Sequence, residues 1–324
     1  HNRPINYLRL AVTDRCNLRC FYCMPEEGIK YIDRKELLTY EEMLRMISVL
    51  VPLGISKIRL TGGEPFLRKD FMPFLRAISK IAGLEQINLT TNGTLTAQHI
   101  PELKAMGISS VNLSIDSLNR QRFYDITRRD SFPQVWETFE SLLAHGIKTK
   151  LNAVVMDGRN TEDILSMVAL TEKYPVSVRF IEEMPFNGGD AHYTELPWSH
   201  VRIIEHIREA YPTLTKLPDP PNSTSYNYQI PGLPGSIGVI AAYSRTFCGT
   251  CNRIRVTPQG LLKTCLYDQG VFNVRDLFRA GATNKQVADT FLDALQHRAK
   301  DGWEAAGKQT PGAAGRESMA TIGG

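Results

Sequence analysis

Cysteine supplies the most reactive pattern in this chain. In TDRCNLRCFYC, residues 13–23, three residues separate Cys16 from Cys20 and two separate Cys20 from Cys23. A second trio, Cys248, Cys251 and Cys265, follows in FCGTCNRIRVTPQGLLKTC and completes the six cysteines of the chain. An odd local count cannot pair within itself, and six cysteines in 324 residues are far fewer than a secreted disulfide scaffold carries. Two trios fit metal or cluster ligation in a reducing compartment better. Three thiolates can hold three corners of a cubane 4Fe–4S cluster and leave the fourth iron open to an outside ligand. Structural zinc prefers four closed positions, and neither trio has a histidine beside it. Zinc remains the plainer alternative.

Other polar groups follow in order. Thr61-Gly62-Gly63-Glu64-Pro65 makes a turn whose glycines permit close main-chain approach to a ligand. Ser114 ends VNLSID, and Met184 lies in FIEEMP. Arg253 and Arg255 alternate along a strand-like run and so share one face.

The elements that must position these groups alternate in type. Strand-like runs fall at 7–12, 57–60, 86–90, 110–114, 150–155 and 177–181, with helical patterns at 40–51, 71–82, 97–106, 133–145 and 161–173. Thr39 ahead of Glu41 and Glu42 is an expected N-cap, and Gly107 and Gly146 stand where left-handed C-caps want glycine. Six β/α units predict an α/β fold with a parallel sheet. An open doubly wound sheet and a partial barrel both satisfy the pattern, and both place function at the C-terminal strand ends. Beyond residue 184 the rhythm lapses. Residues 185–193 and 218–236 are expected as loops, with helices at 198–210 and 284–300 and a tail without hydrophobic period.

The first cysteine loop, with Tyr22 before Cys23, resembles the signature of radical S-adenosylmethionine (SAM) enzymes. The resemblance implies that the open iron chelates SAM and that one electron cleaves it to a 5′-deoxyadenosyl radical. It makes Gly63, Glu64, Ser114, Met184 and Tyr22 expected cosubstrate contacts. The second trio, in Cys248-x2-Cys251-Asn252-Arg253-Ile254-Arg255, resembles the molybdenum-cofactor biosynthesis protein A family, the GTP 3′,8-cyclases. That resemblance runs from Tyr7 to the terminal Gly-Gly and tips the fold to a partial (β/α)6 TIM-type barrel. It implies a radical core over 1–184 and a C-terminal extension over 185–324 that carries a second 4Fe–4S cluster. It further implies that GTP lies between the clusters, held by Arg9, Arg59, Thr90, Lys150, Arg253 and Arg255. A triphosphate carries about four negative charges, which guanidinium forks and a lysine suit. Cations on barrel strands are expensive to bury without such a partner. The family's flexible terminus is needed for turnover, which assigns Arg316, Gly323 and Gly324 to catalysis.

The implied reaction is hydrogen removal from the ribose 3′ carbon, attack on guanine carbon 8, then reduction and protonation. An external one-electron donor feeds it, and cyclic pyranopterin monophosphate synthase takes the product. A homodimer is compatible with the resemblance. The net charge of +4 is too balanced for a nucleic-acid-coating surface. No run reaches the length of a membrane span, so a cytoplasmic protein is expected. The abrupt start at His1 makes a short native leader expected ahead of it. Two rivals remain: a peptide-modifying radical enzyme, and a zinc protein that binds nucleotides or RNA.

Overall fold

Alternation along short strands builds the architecture. The computed structural model describes residues 3–184, 196–308 and 317–323. The first six strands are β1 (Tyr7–Ala11), β2 (Lys57–Thr61), β3 (Gln86–Thr91), β4 (Ser110–Ser114), β5 (Thr149–Val155) and β6 (Ser177–Glu182). Six more follow: β7 (Thr215–Lys216), β8 (Ser225–Gln229), β9 (Ser236–Ile240), β10 (Arg253–Val256), β11 (Leu261–Lys263) and β12 (Phe272–Asn273). All lie in one sheet of order β12-β11-β10-β1-β2-β3-β4-β5-β6-β9-β8-β7. The run from β10 through β1–β6 to β9 is parallel, and the flanking strands are antiparallel.

Each parallel strand turns its aliphatic positions toward the helices. Leu8, Leu10, Ile58, Leu60, Val111, Leu113 and Val178 are fully buried there, each worth roughly 2 kcal/mol in burial. The intervening positions face inward and are mostly polar. Side chains from β1 to β6, β9 and β10 line one cavity, which a flat sheet could not bring together. The strand order is linear, so the barrel is incomplete. β9 and β10 both follow residue 184, and the sheet is continuous across the domain boundary expected there.

The helix Tyr40–Leu50 starts as expected. Thr39 accepts from Glu42 N, and the Glu42 carboxylate accepts from Thr39 N at 2.8 Å, a capping box worth about 1 kcal/mol. Other boundaries differ. The 97–106 helix opens as a 3-10 turn, Ala97–His99, before Ile100–Ala105, with Pro101 in its first turn. A helix at Arg120–Thr127, capped by Asn119, had no apolar period to announce it. The 218–236 loop contains β8, because Ser225–Gln229 pairs with β9 despite its polar composition. The C-terminal helix stops at Gln296, and a short one, Met319–Ile322, forms in the tail.

Candidate active site

Strand register assembles the site. Arg255 on β10 is level with Arg9 on β1, which is level with Arg59 on β2. Thr90 on β3 is level with Asn112 on β4 and, through it, Lys150 on β5. Asn152 is level with Arg179 on β6. These inward rows line a cavity of about 340 Å3, within the range that holds a nucleotide. Arg3, Lys57, Arg253 and Arg298 line it too, so among the described residues the lining holds nine basic side chains and one carboxylate, Asp301. All six expected substrate contacts meet in this one space.

The cations repel one another and are poorly solvated. Burial, then Arg255, holds the Arg9 guanidinium well below its ordinary value. Burial brings Arg255 and Arg179 down to about 10 each, with Arg253 and Arg59 their respective leading neighbours. Burial, then Arg179 and Arg59, brings Lys150 to about 6. Burial resists ionisation of Tyr7, but Arg59 and Arg9 outweigh it and lower the phenol to about 7. Some charge is answered by the protein: Arg59 donates to Tyr7 Oη at 2.8 Å and to the Leu89 carbonyl at 2.5 Å. Elsewhere the cavity wall lacks partners. Thr90 Oγ1, Arg179 Nε, Arg253 Nε and Nη2, Asn112 Oδ1 and Asn152 Oδ1 are buried with no hydrogen-bond partner among the described residues. Such groups are costly unless something fills the space. A polyanion with hydroxyls and base edges fits that lining.

The first trio sits on the loop after β1. All six cysteines are free thiols. Gly63 N donates to Thr13 O and Glu64 N to Arg15 O, each at 2.8 Å, which clamps the TGGEP turn to the cysteine loop. A Cβ on Gly62 would lie 2.3 Å from Thr13 O, and one on Gly63 2.2 Å from Arg15 O. The glycines therefore serve a loop-to-loop approach as well as any approach to ligand. The Glu64 carboxylate is fully buried and accepts from Asn92 N at 2.7 Å, Thr91 Oγ1 and Phe66 N. Burial pushes it up to about 7. Its side chain is committed within the protein, and its main chain bonds Arg15 O and Leu67 N. Tyr22 donates its hydroxyl to Asp116 at 2.9 Å, which fixes the aromatic ring before Cys23. Asn92 Nδ2 lies 3.6 Å from Cys16 Sγ. Ser114 ends β4, half-buried.

The second trio lines the cavity with Arg253 and Arg298. Burial raises Cys248 and lifts Cys265 to about 11, whereas Arg253 and Arg298 overcome the burial of Cys251 and bring it to about 7. Within each trio the thiols act on one another electrostatically. Among the described residues no three ligands are drawn into the shell of a single metal ion. The donor chemistry of each trio, three reduced thiols with no fourth ligand gathered among the described residues, fits a cluster with an open iron. Met184 packs on a small cluster of Tyr267, Ala305 and Ile322 that Cys265 and Met319 also join, with Tyr267 Oη 3.4 Å from its sulfur.

The tail crosses between the trios. Ser318 donates to Cys23 O at 2.7 Å, and Arg255 donates to Gly323 O at 2.5 Å. Lys263, fully buried, pairs with Glu317 at 2.6 Å. Gly323 has φ of +77°, and a Cβ there would meet Thr61 Cγ2 at 2.9 Å. The expected roles of Arg316, Gly324 and the 186–193 loop lie outside the described residues.

Sequence reasoning missed Lys57, Arg179, Tyr7 and the Asn112–Asn152 pair. Their signal was present: polar residues at alternate positions of strands otherwise buried on both faces. Arg3 and Arg298 had no such signal, because only the tertiary fold brings them to the cavity.

A parallel, barrel-like sheet with a three-cysteine loop after its first strand defines a radical SAM protein. Residues 10–171 match the Radical SAM superfamily and residues 176–303 match Molybdenum Cofactor Synthesis C. GTP 3′,8-cyclase of Heliobacterium modesticaldum is 38% identical, over 93% of this chain and 94% of that protein. The enzyme of that name from Desulforamulus reducens is 39% identical, over 94% and 95%. Molybdenum cofactor biosynthesis protein 1 of Mus musculus is 43% identical over 88% of this chain, which spans only 45% of that relative's length. The chain belongs to the GTP 3′,8-cyclase family of the radical SAM superfamily. Streptococcus suis SuiB shares the fold, with a TM-score of 0.65 at 12% identity over 95% of this chain and 69% of that one.

Proposed function

We propose that this protein cyclises GTP to (8S)-3′,8-cyclo-7,8-dihydroguanosine 5′-triphosphate, the first step of molybdenum cofactor biosynthesis. The observation that carries the reading is the cationic, partner-poor cavity bounded by the second cysteine trio and reached by the tail that touches the first. Superfamily membership supports a 4Fe–4S cluster on Cys16, Cys20 and Cys23 together with SAM. The second cluster, on Cys248, Cys251 and Cys265, is part of the proposal, as is the division of labour between residues 1–184 and 185–324.

When bound, the first cluster and SAM supply the radical chemistry. The chain's own share is placement and exclusion of water. Arg9, Arg59, Arg179, Arg253, Arg255, Lys57 and Lys150 ring the space where triphosphate charge is neutralised. Thr90, Asn112 and Asn152 offer the neutral donors and acceptors that ribose and base require. Tyr22, held by Asp116, and the TGGEP turn fix the cysteine loop against the sheet. Gly323 lies against Ala11 of β1 and Thr61 of β2, and Ile322 packs with Tyr267 and Ala305, a cover that keeps bulk water from the cavity. An external one-electron donor and a downstream pterin synthase complete the scheme. Among the described residues no helix is long and apolar enough to cross a membrane.

The test starts with anaerobically purified protein. About eight irons and no zinc per chain are expected, with cyclised product from GTP only when SAM and reductant are present. Full iron loading without any product from GTP would overturn the substrate assignment.

A further inference from the structure

Arg298 lies just beyond the helix Asn284–Gln296 and is buried. Its Nη2 donates to Cys251 Sγ at 3.1 Å, and its Nη1 donates to the Cys251 carbonyl at 2.9 Å. Arg3 braces the same corner, donating to the carbonyls of Cys248 and Ala299. Both amino groups of Arg298 are thus spent on one cysteine. It borders the nucleotide cavity with its buried Nε left without a hydrogen-bond partner among the described residues.

The first trio is treated differently. Its sulfurs meet neutral groups, Asn92 Nδ2 at 3.6 Å from Cys16 and the Ser318 hydroxyl at 3.7 Å from Cys23. The carboxylates of Glu64 and Asp116 lie within electrostatic range of that trio. A charged N–H on a ligand sulfur draws off electron density and favours the more negative, reduced state of an iron–sulfur group. Nearby carboxylates oppose that state.

We propose that Arg298 is a tuning residue that holds the second cluster at a higher reduction potential than the first through its contact with the Cys251 sulfur. The proposal rests on the two-cluster reading. It goes beyond that reading by assigning the two centres unequal tasks: the first is kept difficult to reduce and strongly reducing, the second readily reduced.

The experiment is an anaerobic redox titration of the full chain without GTP, followed by electron paramagnetic resonance, on wild type, Arg298→Met and Arg298→Gln. Iron is counted on each sample. In wild type the second cluster is expected to reduce before the first. In Arg298→Met its midpoint shifts negative while that of the first cluster stays put. In Arg298→Gln, which keeps an N–H donor but loses the charge, the shift is expected in the same direction and smaller. A bracing role alone would leave both midpoints in place and change only iron retention. Should the Met variant lose iron, the Gln variant decides. About eight irons with an unshifted second midpoint in the Gln variant overturns the tuning role and leaves the two-cluster reading standing. Only about four irons in wild type overturns the two-cluster reading itself, and the proposal with it.

Discussion

Single side chains in the cavity make sharp predictions. Arg255 is half-buried among cations, shares the strand level of Arg9 and donates to Gly323 O. Arg255→Ala removes one charge-assisted contact, about 2 kcal/mol, so kcat/KM for GTP should fall about 30-fold with the first iron centre intact. Wild-type turnover at limiting GTP would show that the guanidinium is not a substrate contact. Lys150 adds a pH dependence. With its amine near 6 in the ligand-free cavity, it is neutral at pH 8, and a polyanion beside it restores the proton. GTP binding should therefore take up a proton at pH 8, and affinity should fall as pH rises above about 6. Calorimetry in buffers of different ionisation heat measures this, and Lys150→Met should lose the uptake. The same depression acts on stability with the opposite slope. The unfolded chain binds the extra proton between about 6 and the ordinary lysine value, so this residue's contribution grows with pH there.

At the scale of elements, the TGGEP turn and the cysteine loop are one unit held by two main-chain hydrogen bonds. Gly63→Ala places a Cβ on Arg15 O, and relief requires the loops to part, at a cost of at least about 2 kcal/mol. The melting temperature should drop and the first trio should lose iron while the second keeps its own. Retention of all iron would mean the clamp is dispensable. The β/α rhythm, the Thr39 cap and the strand positions were legible in the sequence because each rests on local periodicity. β8 was not, because the alternation of Tyr226 and Tyr228 in SYNYQ is short and set among Pro, Asn and Ser, and the strand forms by pairing with β9. The cationic set was half legible. Arg9, Arg59, Lys150, Arg253 and Arg255 followed from the family resemblance, while Arg179 and Lys57 needed the inward face of the sheet to be known. Arg298 needed the whole fold.

Over the whole molecule, the C-terminal half supplies both flanks of the parallel run, β9 beside β6 and β10 beside β1. The tail then returns across the opening, tied by Lys263–Glu317, Ser318–Cys23 and Arg255–Gly323. Deleting residues 323–324 should leave iron content at the wild-type level, because no cysteine is touched, and should lower turnover on the order of 100-fold through misplacement. Retained turnover would free the tail of any part in the reaction. The pairing of β10 with β1 also has a consequence for how the chain is made. The six strands of the first half are finished about 70 residues before β10 leaves the ribosome, a wait of roughly 4–14 s at ordinary synthesis rates. Throughout it the outer edge of β1 is an open row of amides and carbonyls, ready to pair with another nascent chain. Among β1 to β6, the strand made earliest is thus the one whose edge is closed latest, when β10 pairs with it.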